Sequence, residues 1–430
     1  MSISNCIRSL LNIKDPNIIF SDNCVSQETV KGKTTHICKA ILSVNTPPHC
    51  VHCGCINENH SIYKNGTKTV SIKLPNASNI STILRLKKPR FCCKKCNKGT
   101  IAETTCVKPN HSISTNTFHA AILESKSKRS VKDIAKSLNI SHTTVNNWLK
   151  SINEDFVVSR LSLPEHLAFD EFRSVKSVKG KMSFIYMDAD SGNVLDIVQN
   201  RQLGHLKSYF NTYPKEVRDK VKTITIDMYE PYIQLIKSCF HNAEIITDRF
   251  HIVQHLNRAL NSTRVSVMND TPDSKTKLKN YWKLILKDNL KLDSNDCHHY
   301  RCYKHLMSES MIVDDLLRVD KTFEETYWVH QRLTQAIRNK NMTSLLEILN
   351  DPPKNISIQM KKAIKTLKKY ETSVSNAIKY PHSNGRIEGT NNLIKVIKRI
   401  AFGYRSFENF RTRVLLICNT MVRLEMKSTH

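Results

Sequence analysis

Val221-Lys-Thr-Ile-Thr-Ile-Asp227 is a short β-branched run that stops on an acid, and Leu167-Ala-Phe-Asp170-Glu-Phe172 places another acid after an apolar stretch. Such residues suit strands. A carboxylate at the end of each strand would sit at the rim of a sheet, where two neighbours can share a metal ion. Between these runs, residues 182–188 and 193–200 read as two strands around the turn signal Asp190-Ser-Gly-Asn193, which predicts a hairpin. Downstream, residues 203–213, 231–240 and 250–260 suit helices, and residues 221–226 and 243–247 suit strands. A hairpin followed by alternating helix and strand predicts a mixed sheet covered by helices.

Two metal-binding aspartates need a third carboxylate. Ser383-Asn-Gly-Arg-Ile-Glu388-Gly-Thr-Asn-Asn-Leu-Ile-Lys-Val-Ile-Lys-Arg399 predicts a helix starting near Asn384. On it Glu388, Asn392, Lys395 and Arg399 share one polar face, while Leu393, Ile394, Ile397 and Ile400 face a core. Glu388 would bind metal, and Asn392, Lys395 and Arg399 would meet DNA phosphate beyond it. Asp170, Asp227 and Glu388 are thus the candidate catalytic residues. Their hard oxygens suit Mg²⁺, or Mn²⁺, and two ions ~4 Å apart would activate an attacking oxygen and stabilise a leaving one.

Upstream, Cys50-Val-His-Cys53-Gly and Cys93-Lys-Lys-Cys96-Asn are paired C-x-x-C knuckles, a spacing that supplies four thiolates to a structural Zn²⁺. Gly54 and Asn97 follow the knuckles, where a tight turn needs positive φ. Cys92 is an alternative to Cys93, and Cys55 is a spare neighbour. Strand-like segments between the knuckles fit a zinc ribbon. Seven Lys or Arg and no acid lie between Arg85 and Lys98, an edge suited to phosphates. The second group, Cys297-His-His-Tyr-Arg-Cys302 with His305, has poor spacing for a shared ligand face.

Residues 130–148 predict a helix-turn-helix. Ser130 and Ser141 are in N-cap positions, Asn139 falls in the turn, and Val145, Trp148 and Leu149 face inward. His142, Thr143, Asn146 and Asn147 would then face a major groove. Residues 263–376 read as almost purely helical and Lys-rich. The expected organisation is therefore multidomain α/β: an N-terminal segment 1–45, a zinc ribbon 46–108, a helix-turn-helix domain 109–160, a catalytic core in two parts, 161–262 and 377–430, and an all-helical insertion 263–376.

The chain has 430 residues, with 66 Lys and Arg against 38 Asp and Glu, for a net charge of +28. That excess points to a polyanion, most simply double-stranded DNA. A Lys-rich composition set by an AT-rich genome is the plainer source of the same charge. No apolar run reaches the ~18 residues of a membrane span, and the first residues carry Arg8, Lys14 and Asp15, so a cytoplasmic, nucleoid-associated protein is expected. Fourteen cysteines in such a compartment favour metal ligands or buried thiols over disulfides.

Taken together, the two knuckles, the helix-turn-helix, Phe169-Asp170-Glu171-Phe172, Thr225-Ile-Asp227-Met, Asp248-Arg-Phe-His251 and Ser383–Asn392 resemble the ISL3-type insertion-sequence transposases of the DDE class. The first knuckle departs slightly, with Val51-His52 where a proline is common. The resemblance implies a ribonuclease-H-like catalytic core, terminal-inverted-repeat binding, Mg²⁺-dependent strand cleavage and transfer, and a homo-oligomer, expected to be a dimer. Asp248 and His251 would support the site from behind the metal ligands. A catalytically silent, transposase-derived repressor is the alternative, and a nuclease with the same core is another.

Overall fold

The computed structural model describes residues 3–30, 32–155 and 158–418. Two compact units emerge, one of Met1–Val157 with Ile394–His430 and one of Val158–Leu393.

The first unit begins with α1 (Ile3–Leu10) and the strands β1 (Ile18–Val30), β2 (Lys33–Leu42), β3 (Ile62–Ala77), β4 (Ile80–Cys93) and β5 (Gly99–Ile101). They form one sheet in the order β1-β2-β4-β3, with β5 on β4. Strand β2 runs parallel to β4, so residues 1–45 and the cysteine segment share one sheet and one core around Ile18, Leu42, Ile72, Leu84 and Leu86. The predicted break at residue 45 does not coincide with a break in the packing. Arg85, counted above as part of a phosphate-tracking edge, is held by both Glu28 oxygens at 2.8 and 2.6 Å.

Three helices follow: α2 (Thr115–Ser125), α3 (Val131–Ser137) and α4 (His142–Asp155). Ser130 Oγ accepts from Asp133 N and Ser141 Oγ from Thr144 N, satisfying backbone donors that a helix start leaves open. Between α3 and α4, Asn139 takes φ 51°, the left-handed conformation that asparagine tolerates. Ile134, Leu138, Val145 and Leu149 are buried together, while His142, Thr143 and Asn147 are exposed and Asn146 is half-buried. Asn139 Nδ2 also donates to Ser81 Oγ at 2.6 Å, seating the turn against β4.

In the second unit, β6 (His166–Arg173), β7 (Met182–Asp188), β8 (Val194–Val198), β9 (Thr223–Ile226) and β10 (Glu244–Thr247) form a sheet ordered β10-β9-β6-β7-β8. The first three in chain order are antiparallel neighbours, and β9 and β10 add in parallel beside β6. Helices α5 (Leu203–Phe210), α6 (Lys215–Arg218) and α7 (Glu230–Cys239) connect them. Side chains alternate across a strand. Accordingly Leu167 and Phe169 enter an aromatic core with Phe184, Tyr186, Phe210 and Phe240, while Asp170 takes the other face. Each fully buried side chain of this size stabilises the fold by roughly 1.5–3 kcal/mol. Apolar packing thus fixes the strand and frees Asp170 for a polar surface.

From β10 the chain enters α8 (Arg249–Asp270), then α9 (Lys275–Asn280) and α10 (Trp282–Leu286). The minimal hairpin β11 (His298–His299) and β12 (Leu306–Met307) follows, and then α11 (Glu309–Leu317), α12 (Lys321–Arg338), α13 (Met342–Asn350), α14 (Ile358–Lys369) and α15 (Glu371–Lys379). Leu256, Leu260, Phe323, Tyr327, Leu333 and Leu367 are completely buried in this helical region. The last two helices are α16 (Gly385–Ile400) and α17 (Phe407–Cys418). Residues 377–430 divide between the units. The start of α16 stands with the second sheet, but α17 packs on α4 and α2 in the first unit. The cause is Arg413, 1% exposed, whose guanidinium donates to the carbonyls of Ser127 and Arg129, with Leu416 buried among Ala121, Ile122 and Leu149.

Candidate active site at the carboxyl edge of the parallel strands

Strands β6, β9 and β10 run side by side in parallel, and their register is fixed: Ala168 pairs with Thr225, and Thr247 with Ile226. Continued past the strand ends, that register places Asp170 beside Asp227 and Asp227 beside Asp248. Adjacent strands lie ~4.8 Å apart. Three aspartates therefore line one carboxyl edge, the usual ligand-binding edge of parallel strands.

The three are not equivalent. Asp170 accepts from Glu171 N at 2.7 Å and from Asn391 Nδ2 at 2.7 Å. Burial, reinforced by the neighbouring carboxylates of Asp227 and Glu171, pushes its pKa up to about 7. Asp248 is 3% exposed and accepts from the backbone N–H of Asn384 at 3.0 Å and from His251 Nδ1 at 3.1 Å. The same His251 nitrogen lies 2.8 Å from Asp227 Oδ1. Hydrogen bonds to Asp227 and Asp248 raise the His251 pKa to about 10, so an imidazolium stands between the two carboxylates at neutral pH.

Glu388 is exposed, and its place is defined by its helix neighbours. Asn384, four residues earlier and immediately before α16, directs Nδ2 toward the Phe169 carbonyl at 3.3 Å and Asp227 Oδ1 at 3.5 Å. Asn391, three residues later and 8% exposed, holds Asp170. Residues at i−4, i and i+3 share a helix face. The Glu388 face is thus the face docked on Asp170 and Asp227. Among the described residues, the ligand atoms of this trio are not drawn together within 4.8 Å as a set. Asn392, Lys395 and Arg399 are exposed on the adjoining stripe. Sequence reasoning missed Asn384 and Asn391. Their only signal was spacing from Glu388, and Asn392 met the same polar pattern.

Beside Asp227 and His251 opens a cavity of about 300 Å³, also lined by Tyr229, Tyr232, His255 and Arg258. Glu171 points to that side, accepting from Tyr232 Oη at 2.5 Å and pairing with Arg201.

In the first unit the thiols of Cys50, Cys53, Cys93 and Cys96 lie within 4.8 Å of one another. Cys50 and Cys96 are 3.7 Å apart and Cys53 and Cys93 3.8 Å, close to the ~3.8 Å edge of a tetrahedron built on ~2.3 Å zinc–sulfur bonds. Cys93, not Cys92, belongs to this set. Gly54 and Asn97 take φ 69° and 53°, letting their N–H groups bond the Cys50 and Cys93 carbonyls. Backbone donation from Cys96 lowers the Cys93 pKa to about 6, favouring the thiolate that zinc binds. Cys55 lies 3.3 Å from Cys93 as a fifth thiol outside the tetrahedral set. Among the described residues, Cys297 and Cys302 join no such set.

Comparison with known proteins agrees with this layout. Residues 46–96 match the zinc-finger of transposases IS204, IS1001, IS1096 and IS1165. The transposase for insertion sequence element IS1001 of Bordetella parapertussis is 26% identical over 259 residues, 58% of this chain and 60% of that protein. A Lactococcus lactis subsp. lactis protein named an ATP-dependent protease is 33% identical over 112 residues, 26% of this chain and 35% of that protein. The chain thus spans between a third and three-fifths of the length of these relatives. More than half of the chain, residues 167–414, matches the DDE transposase model of the ISL3 type, a span that contains Asp170, Asp227, Asp248 and the Glu388 helix. The chain belongs to the ISL3 family of transposases.

Proposed function

We propose that the protein is the DDE transposase of an insertion sequence, which binds the terminal inverted repeats, nicks the DNA at the element boundary and joins the freed 3′-OH to target DNA. The observation that carries this reading is the docking of α16. Asn384 and Asn391 flank Glu388 by about one helical turn on either side, and they reach Asp227 and Asp170 respectively. The sheet order and mixed strand directions support a ribonuclease-H-like core.

The donor set fits divalent cations. Asp170, Asp227 and Glu388 offer hard oxygens, and the Asp170 pKa is raised first by burial and then by the Asp227 and Glu171 carboxylates, a cost that a bound cation would relieve. Bound there, two Mg²⁺ or Mn²⁺ ions would make water and then a 3′-OH nucleophilic at neutral pH and neutralise charge on the leaving oxygen. Asn391 would orient Asp170, and Asn384 would orient Asp227 and tie the start of α16 to Asp248. His251 would hold Asp227 and place positive charge near a scissile phosphate. The cavity beside them, with Tyr229 and Arg258, has room for a nucleotide next to that phosphate.

Double-stranded DNA is the proposed partner, and a homodimer in the bacterial cytoplasm the proposed working form. The zinc module and α3–α4 would read the element ends, with His142, Thr143, Asn146 and Asn147 toward the major groove. Asn392, Lys395 and Arg399 would track phosphates.

The test is incubation of purified protein with Mg²⁺ and a labelled inverted-repeat fragment. A nick at the element boundary is expected, absent in Glu388→Gln and in Asp227→Asn while end binding persists. Specific binding without a nick in Mg²⁺ or Mn²⁺ would replace this proposal with the repressor reading.

A further inference from the structure

A second cluster of metal-ligand side chains lies in the second unit, away from the acidic edge. His166 opens β6, Asp190 stands in the β7–β8 turn, and His382 precedes α16. Their ligand atoms all lie within 4.8 Å of one another. His166 is four residues before Asp170, roughly 13 Å along a strand, so this cluster is separate from the three aspartates.

We propose that His166, Asp190 and His382 bind a transition-metal ion of the zinc class, which ties the segment leading into α16 to the sheet. His382 Nε2 is 3.0 Å from Asp190 Oδ1, near the ~3.3 Å edge of a tetrahedron with ~2.0 Å bonds. The His166 and His382 rings are stacked, 4.4 Å apart centre to centre and 28° from parallel, so the nitrogens are already near one another and metal binding would turn the rings out of the stack to point at one ion. Thr223 Oγ1 bonds His166 Nδ1 at 2.8 Å, which fixes that ring and leaves its Nε2 as the ligand atom. Imidazole ligands favour zinc over Mg²⁺.

Two further observations set this cluster apart from a chance surface contact. The His382 side chain is only 12% exposed, and its Nδ1 is buried without a hydrogen-bond partner, so hydrogen bonding alone does not account for the burial of this ring. The turn carrying Asp190 is also built in advance. Asp188 accepts from Asp190 N at 3.0 Å and from Ser191 Oγ at 2.6 Å, and Gly192 takes φ 76° where the Arg386 side chain passes close. Arg386 donates to the Ala189 and Asp190 carbonyls and leaves the Asp190 carboxylate to the histidines. Asp190 is 60% exposed, so the fourth position is open to water. Two histidines, one carboxylate and a water form a common zinc set.

Metal content of the full-length protein tests this without any DNA reaction. In excess Mg²⁺, which occupies the oxygen sites, the protein should bind two equivalents of Co²⁺. One should show the strong near-ultraviolet bands of cobalt–thiolate bonds, and the other only weak visible bands. Cys50→Ser should remove the first signal. His382→Ala and the nearly isosteric Asp190→Asn should remove the second, with the far-ultraviolet dichroism of Asp190→Asn unchanged. A single thiolate equivalent in the wild type, or a second equivalent that survives both His382→Ala and Asp190→Asn, would overturn the site.

Discussion

Replacing Asn391 with alanine isolates the contact between α16 and the acidic edge. Asn391 Nδ2 donates to Asp170 Oδ2 at 2.7 Å, and the amide is 8% exposed, so water does not readily substitute for it. A hydrogen bond to a charged group contributes about 1.5–3 kcal/mol. At 1.36 kcal/mol per pKa unit, its loss should raise the Asp170 pKa by roughly one to two units. That pKa already stands at about 7, so the variant's carboxyl would be largely protonated at neutral pH. A metal must then displace a proton, and affinity should fall about ten- to hundredfold, the usual range for losing a partner that orients a ligand. The assay is Mn²⁺ titration followed by calorimetry at several pH values. Affinity of Asn391→Ala should recover as pH rises, and Asn392→Ala should behave like the wild type. Unchanged Mn²⁺ affinity in Asn391→Ala at neutral pH, or equal loss in Asn392→Ala, would refute the role given to the Asn391–Asp170 contact.

The metal-free protein should lose stability as pH rises. His251 has a folded pKa raised from 6.5 to about 10, so its contribution is full below pH 6.5 and lost as pH climbs through about 10; Asp170, raised from 3.8 to about 7, acts in the same direction at lower pH. Thermal melts in Mg²⁺-free buffer should fall across neutral to alkaline pH, and His251→Gln should flatten the upper part; a level wild-type profile would contradict the ion pairing. For the zinc module, Cys93→Ser should cost the bound zinc while Cys92→Ser keeps it, as read by metal analysis, and the reverse outcome would exchange the two ligands. Replacing Arg413 with methionine strands the Ser127 and Arg129 carbonyls and should destabilise the first unit by about 2 kcal/mol in urea denaturation; no change would mean that the buried guanidinium is not needed to hold α17.

Features set by a few adjacent residues were legible in the sequence. The strand that stops just before Asp227, the serines that cap α3 and α4, and the positive φ at Gly54, Asn97 and Asn139 each follow from local chemistry, whereas the strand expected to end at Asp170 runs on to Arg173, because its pairing with β7 continues past the acid. What stayed hidden depends on which distant surfaces meet. Asn391 and Asn392 are alike in sequence and differ by one step around a helix, and only the docking of α16 on β6 turns the first inward. The β2–β4 pairing is parallel and non-local, so no turn signal announces it, and residues 1–45 looked separate. His166, Asp190 and His382 come from three elements that no spacing rule connects. The burial of Arg413 has no local sequence signal, because it depends on carbonyls supplied by a remote loop.

The hydrogen bond from Asn384 N to Asp248 joins residues 136 positions apart, with the helices from α8 to α15 between them. That whole helical region leaves and returns at a single point of the sheet. During synthesis at about 5–20 residues per second, roughly 7 to 27 s separate the emergence of Asp248 from that of Asn384. For that interval Asp170, Asp227 and Asp248 lack the helix that brings Asn384, Glu388 and Asn391 to them. A nascent chain therefore carries the acidic edge before the side chains of α16 can reach it, and the two meet only after the whole helical region has been made.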